Sequence, residues 1–360
     1  MKKRIGVLTS GGDCPGLNAV LRGVVRAATN RDWEVIGFQD GFEGLLPPAN
    51  YEILDIKRTA GIMHLGGTIL GTTNKGHFVA KVAEGSKMRI PEEVIASTRE
   101  TLASLRVEGL ICIGGDGSLT TALQLHEVGL PVIGVPKTID NDLEATAMTF
   151  GFDSAVACVA DALDRLHTTA TSHKRVMILE VMGRHAGWIA LYGGLAGGAD
   201  IILIPEIPFD HEEVAAAVRR REAEGCLSTL VVVAEGAHPM HGRELYYATG
   251  TGEYKLGGIG ERVAADIAKN TGKETRTCVL GHLQRGGAPT TLDRILGTRF
   301  GVHAVELIAE GRFGEMVSYQ NYQVLGVPIA DAVHRIKLIQ PDNQMVQTGR
   351  AVGINFGDRP

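Results

Sequence analysis

Apolar runs along this chain end again and again in a turn that combines glycine with a charged or hydroxyl residue. Such turns fall at 9–13, 114–118, 136–142, 182–187, 235–236 and 281–287. The runs before them are short and barely alternate, which predicts strands buried on both faces, as in a parallel sheet. Stretches of helical spacing lie between them, with Val20, Leu21, Val24, Val25 and Ala28 in one, and Val156, Val159, Ala160, Leu163 and Leu166 in another. Strand, polar turn and helix in repetition is the pattern of a doubly wound α/β fold, whose ligands bind beyond the carboxyl ends of the strands. At 360 residues the chain is too long for one small core, so two such domains facing one cleft are expected. Segments 91–105, 188–194, 212–224, 259–269 and 292–309 read as further helices. Segment 329–338 reads as a last helix, and the tail to 360 as irregular.

The stretch 111–142 holds the densest chemistry. Two apolar strands, Gly109–Ile113 and Pro131–Val135, run into Gly114-Gly115-Asp116-Gly117-Ser118 and into Pro136-Lys137-Thr138-Ile139-Asp140-Asn141-Asp142. Glycines let backbone N–H groups approach a phosphate, and the following helix aims its N-terminus at the same anion. Three aspartates and a lysine crowd these turns, which suggests Mg²⁺ and phosphoryl transfer. Asp116 alone fits either a metal ligand or a helix N-cap. Asp140 and Asp142 are two apart, so an extended backbone points them the same way, and close carboxylates leave one poised as a base. Lys, Thr, Asp, Asn and Asp within six residues exceed what a mere turn needs. The turn Gly11-Gly12-Asp13-Cys14-Pro15-Gly16 departs from the dinucleotide fingerprint G-x-G-x-x-G and is weak evidence by itself.

Arg175, Arg184, Arg276, His282 and Arg285 stand at strand starts or ends. One arginine there reads as surface charge. Five cationic or potentially cationic residues suit a phosphorylated substrate gripped by bidentate hydrogen bonds. Glu235 fits either an acceptor for sugar hydroxyls or a helix cap. The formal net charge of −5 and the lack of a basic stripe argue against nucleic acid. Five widely spaced cysteines without a C-x-x-C pair support neither zinc nor a disulfide framework, so a reducing cytoplasm is expected. No stretch is long enough to span a bilayer, and no signal peptide is expected.

Taken together, TSGGDCPGLNA (9–19), IGGDGS (113–118), PKTIDND (136–142), SHKR (172–175), EVMGRHAG (180–187), AEG (234–236), ETR (274–276) and VLGHLQRGG (279–287) closely resemble the 6-phosphofructokinase family, from Lys3 to about Ile336. The resemblance implies two Rossmann-like domains with the active site in the cleft between them. Residues 1–151 with 283–334 would take donor nucleotide and Mg²⁺, 152–282 the sugar phosphate, and 335–360 would form a C-terminal extension. It implies transfer of a phosphoryl group from ATP to the 1-hydroxyl of fructose 6-phosphate, a step of glycolysis. Asp140 would be the base, with Thr138, Arg184 and Lys137 beside it. Asp116 would hold Mg²⁺, supported by Asp142. Gly12, Asn74, Lys75, Gly115, Gly117 and Ser118 would surround the donor. Met182, Gly183, Glu235, His282 and Arg285 would hold the sugar phosphate. Arg175 and Arg276 would reach across from a neighbouring subunit of a homotetramer or dimer.

The donor is where the residues pull apart. Gly117 matches ATP-using members, where pyrophosphate-using members resemble GGDD. Lys137 matches the pyrophosphate-type loop, where ATP-only members often carry glycine. The pair resembles the mixed-substrate subgroup, and ATP is the expected donor, with pyrophosphate or ADP as alternatives. Asn74-Lys75 replaces the arginine that many bacterial members place on donor phosphates. A kinase for NAD or a lipid shares only GGDG. A non-catalytic sugar-phosphate sensor would have no need of Asp116, Asp140 and Arg184, all of which are present.

Overall fold

The computed structural model describes residues 2–73, 75–78, 89–248, 254–333 and 335–359. In chain order it runs β1 (Arg4–Thr9), α1 (Leu17–Thr29), β2 (Glu34–Phe38), β3 (Tyr51–Leu54), α2 (Glu92–Ser104), β4 (Val107–Gly114), α3 (Asp116–Glu127), β5 (Val132–Pro136), α4 (Phe152–His173), β6 (Val176–Val181), α5 (Trp188–Ala196), β7 (Ile201–Leu203), α6 (His211–Ala223) and β8 (Thr229–Ala234). It continues through β9 (Tyr246–Ala248), β10 (Tyr254–Leu256), α7 (Ile259–Thr271), β11 (Thr275–Val279), α8 (Thr291–Ala309), β12 (Glu315–Gln320), β13 (Gln323–Pro328), α9 (Ile329–Val333) and α10 (Gln344–Ala351). Two compact units result. The first comprises 1–139, 143–154 and 285–335, and the second 140–142, 155–284 and 336–360.

Among the described residues, the first unit carries a seven-stranded sheet in the order β13-β12-β5-β4-β1-β2-β3. Its five central strands are parallel, and β13 and β3 close the edges antiparallel. Strands β1, β4 and β5 are buried almost throughout, which is why their sequences do not alternate. Leu8, Ile36, Leu110, Cys112 and Val132 fill the core between sheet and helices. Each such side chain contributes about 1.5–3 kcal/mol on burial. Helices α1 and α8 cross at glycines: a Cβ on Gly23 would stand 2.6 Å from the Thr298 carbonyl oxygen, and one on Gly301 2.3 Å from that of Val20.

In the second unit, four parallel strands lie in the order β11-β6-β8-β7. Val176, Ile178, Ile201, Val231, Val233, Ile259 and Ile267 form its core. Helix α6 begins where Asp210 accepts the Glu212 N–H at 2.9 Å, with Glu212 and Glu213 in its first turn and Arg220 and Arg221 in its last. Both placements complement the helix dipole. The tail differs from the irregular segment expected. It carries α10, and Asn355 bridges Ile201 beside β7, donating to the Asp200 carbonyl at 3.0 Å. The helix expected over 329–338 stops at Val333. The Lys337 N–H, which a continuing helix would use internally, donates to the carbonyl of Asp142 instead.

Asp293 is a strongly perturbed carboxyl of the first unit. It is buried at the start of α8 and accepts from the N–H of Gly151 (2.9 Å), the N–H of Ser154 (2.8 Å) and the Ser154 hydroxyl (2.6 Å). These bonds favour the carboxylate, but burial outweighs them, and the pKa rises from 3.8 to about 6. A raised pKa means that the folded state binds the proton more tightly. Its stabilising contribution is complete below 3.8 and is lost as pH rises through about 6. The full swing is about 3 kcal/mol. Asp293→Asn should therefore remove a falling limb of stability between about pH 4 and 6. Urea midpoints of variant and wild type across that range check this, and parallel curves would refute it.

Candidate active site

The first unit gathers the residues expected around a phosphoryl donor. Strand β1 ends in the turn 10–16, where Gly11 sits at φ 81, in the left-handed region that suits glycine. The Gly11 N–H donates to the Thr73 carbonyl at 3.1 Å, and the Thr72 hydroxyl to the Gly11 carbonyl at 2.6 Å. Thr72 and Thr73 are thus laid along the turn. Lys75 is exposed there and tied back to the Thr73 hydroxyl at 3.1 Å, while Asn74 lies outside the described residues. The Gly12 carbonyl accepts from the Lys137 ammonium, and the Asp13 carbonyl from Arg285 at 3.2 Å. Lys137 is only 5% exposed, so its charge sits beneath the turn rather than in solvent. A Cβ on Gly12 would approach the Arg285 guanidinium to 2.8 Å. Arg285, expected on the sugar phosphate, therefore rests against the backbone of Gly12 and Asp13. Cys14, fully buried below them, has its thiol pushed up to about 12, chiefly by burial, and stays protonated at neutral pH.

Strand β4 feeds α3 through Gly115, in extended conformation, so Asp116 is the first helical residue. Its carboxylate is exposed at the positive end of the helix. Ser118 packs under Gly114, where a Cβ would stand 2.2 Å from that of Ser118. A Cβ on Gly117 would meet nothing within 4 Å. Strand β5 runs alongside, and the Lys137 N–H donates to the Gly114 carbonyl at 2.9 Å. Thr138 follows, its carbonyl taking the Thr149 hydroxyl at 2.7 Å. Among the described residues, no three His, Cys, Asp or Glu side chains form a metal-holding group by themselves. An exposed carboxylate beside glycine turns still fits Mg²⁺, which keeps several waters and takes one or two carboxylates plus substrate phosphates.

The second unit gathers most of the residues expected around a sugar phosphate. Met182, Gly183 and Arg184 follow β6, and Glu235 follows the neighbouring β8. The two turns are joined: the Glu235 N–H donates to the Val181 carbonyl at 2.8 Å and the Gly236 N–H to that of Gly183 at 3.1 Å. Any side chain at 236 would collide with the Arg184 carbonyl, 2.0 Å from the Cβ position. Gly183 holds φ 137, again a glycine conformation. Arg184 and His282 are exposed, His282 lying past the carboxyl end of β11 on the same sheet edge. Asp140 and Asp142 are half-buried, flanking a buried Asn141.

Arg175 and Arg276 are not brought to this edge. Both converge on Glu274, at 2.7 Å and 2.5 Å, next to the amino ends of β6 and β11. The two guanidinium groups hold the Glu274 carboxyl below its ordinary range, the Arg175 hydrogen bond first. A strand the length of β6 separates them from Met182, roughly 20 Å at 3.3 Å per residue. Lys337, absent from the sequence expectations, borders the 140–142 turn.

The family model for phosphofructokinase matches residues 4–308. The chain belongs to the phosphofructokinase family. A Chloroflexus aggregans protein named ATP-dependent 6-phosphofructokinase is 52% identical over 357 residues, 99% of this chain and 98% of that protein. A Streptomyces coelicolor protein named pyrophosphate–fructose 6-phosphate 1-phosphotransferase is 49% identical over 359 residues, 98% of this chain and 100% of that protein. The solved structure of phosphofructokinase from Saccharomyces cerevisiae superposes with a TM-score of 0.78 at 29% identity, over 98% of this chain and 47% of that one. This chain therefore spans about half of the yeast chain. Within the phosphofructokinase family, then, the glycine turns and the strand-end residues above are the places to look for activity. Among the described residues no helix is long and apolar enough to cross a membrane.

Proposed function

We propose that the chain is a cytoplasmic, Mg²⁺-dependent 6-phosphofructokinase that transfers a phosphoryl group from ATP to the 1-hydroxyl of fructose 6-phosphate, yielding fructose 1,6-bisphosphate. In this reading the donor residues lie in the first unit, and the acceptor residues, Arg285 excepted, in the second. Gly12, Asn74, Lys75, Gly115, Gly117 and Ser118 surround the donor, and Lys137 brings positive charge beneath its loop. Asp116 would hold Mg²⁺, which when bound neutralises charge on the donor phosphates. Asp140 takes the proton from the attacking hydroxyl, with Asp142 beside it. Thr138 and Arg184 steady the transferring group. Met182, Gly183, Glu235, His282 and Arg285 hold the sugar phosphate.

The observation that carries the choice of ATP is the open space at Gly117, the position where a carboxylate would stand in the way of a nucleotide. The buried Lys137 favours a second reading, pyrophosphate as donor, because an ammonium under a glycine turn suits a compact anion. Turnover of fructose 6-phosphate with ATP, ADP or pyrophosphate as sole donor separates them. ATP is expected to support it best, and turnover with pyrophosphate alone would overturn the donor assignment.

Arg175 and Arg276, at the far strand ends, are proposed to serve the sugar phosphate of a neighbouring copy in a homo-oligomer. Their place opposite the Met182–Arg184 turn supports this reading. Full turnover by a monomer in solution would remove that role.

A further inference from the structure

Lys337 carries none of the roles above, yet both its ends are engaged around the turn that bears the proposed base. Its backbone N–H donates to the Asp142 carbonyl at 2.9 Å. Its ammonium donates to Oδ1 of Asn141 at 3.0 Å and stands 5.7 Å from the centre of the Trp188 indole. Its carbonyl accepts from Trp188 Nε1 at 2.8 Å. Two residues on, the Ile339 N–H donates to Glu206 at 3.0 Å, and the same carboxylate takes the Gly187 N–H at 3.1 Å. Residues 337–339 therefore tie the 140–142 turn to the turn that follows Met182, Gly183 and Arg184.

Asn141 needs such a hold. It is 4% exposed and sits at φ 52, a left-handed conformation that asparagine tolerates better than most residues but that still costs free energy unless its surroundings favour it. Lys337 grips it by the side chain and grips its successor by the backbone. We infer that Lys337 is a positioning residue: it fixes the peptides of Asn141 and Asp142, and through them the direction in which Asp140 presents its carboxylate. The inference rests on the reading of Asp140 as the base. A base turned away by even 1 Å loses on the order of 10²-fold in rate, while substrate binding elsewhere is untouched.

Lys337→Met keeps the stem and the backbone N–H and removes the ammonium. Its kcat should fall about 10–100-fold with KM for fructose 6-phosphate and the melting temperature unchanged. Lys337→Arg should recover part of the loss. Asn141→Gly removes the acceptor while suiting the left-handed backbone and should also lower kcat, and the double variant should lose less than the product of the two single losses, since the two share a contact. Wild-type kcat in Lys337→Met, or losses that multiply in the double variant, would overturn the inference. So would a kcat loss that follows a lowered melting temperature and is not relieved by arginine. If Lys337→Met does not fold, Asn141→Gly decides alone: a kcat loss at constant KM supports the inference and full kcat refutes it. Asp140→Asn distinguishes the two levels. Inactive Asp140→Asn beside fully active Lys337→Met removes the positioning role only, whereas active Asp140→Asn removes the base itself.

Discussion

Asp140→Asn should lower turnover by about 10²–10⁴-fold while leaving fructose 6-phosphate binding nearly intact. The amide is close to the carboxylate in size, so the turn and its hold on Asn141 and Asp142 should survive. What is lost is the group that receives the proton as the hydroxyl attacks. Donor and acceptor groups stay in place, so positioning and charge stabilisation still supply a residual rate. The proposed binding residues Met182, Gly183 and Glu235 sit on turns that hold each other by backbone bonds. Steady-state kinetics with calorimetry on the same preparation checks both halves. Turnover at the wild-type rate would sink the assignment of the base, and lost binding would show that Asp140 holds substrate rather than a proton.

Gly117→Asp should abolish most nucleotide-supported turnover without unfolding the protein. A Cβ at this position meets nothing within 4 Å, so the side chain enters unoccupied space. It also enters the first turn of α3, where negative charge is favourable by about 0.3–1 kcal/mol. Stability should therefore hold or rise slightly, which isolates the effect on function. A carboxylate about 4 Å from a donor phosphate costs about 4 kcal/mol at an effective dielectric of 20, so kcat/KM with ATP could fall by up to ~10³-fold. Melting curves and initial rates with ATP and with pyrophosphate test this together. Unchanged ATP kinetics in a folded variant would remove Gly117 as the donor gate.

The parallel strands were legible because little that is polar interrupts them: β4, β5, β6 and β8 are buried almost throughout and read as largely apolar runs, with Glu108 in β4 and Glu180 in β6 as charged exceptions. The turns at their carboxyl ends were legible for the complementary reason, since Gly183, Gly236 and Gly114 stand where a side chain would collide or strain. The β12–β13 hairpin was not. Its two-residue turn, Asn321-Tyr322, takes φ 48 and φ 64 without the glycine that usually marks such turns. The end of α9 was hidden for a different reason. Residues after Val333 have helical composition, but the Lys337 N–H serves Asp142, almost 200 positions earlier, and no local pattern encodes that. Lys337 itself lies beyond the 4–308 stretch that the family model matches. Arg175 and Arg276 could be placed at strand ends from sequence, but their shared partner Glu274 and their distance from Met182 needed the sheet.

The division of the chain bears on how it is made. The polypeptide changes unit after residues 139, 142, 154, 284 and 335, so neither unit is a continuous piece. The first sheet lacks β12 and β13 until residue 328 has been synthesised. The 140–142 turn lacks its Lys337 contacts until residue 337 has emerged. Folding on the ribosome therefore cannot finish one half before starting the other, and pairings this distant in sequence are slow to form. A chain cut short before residue 337 keeps most of its core and lacks the Lys337 contacts to this turn. The turn that carries the proposed base is thereby fixed only after most of both cores has been made.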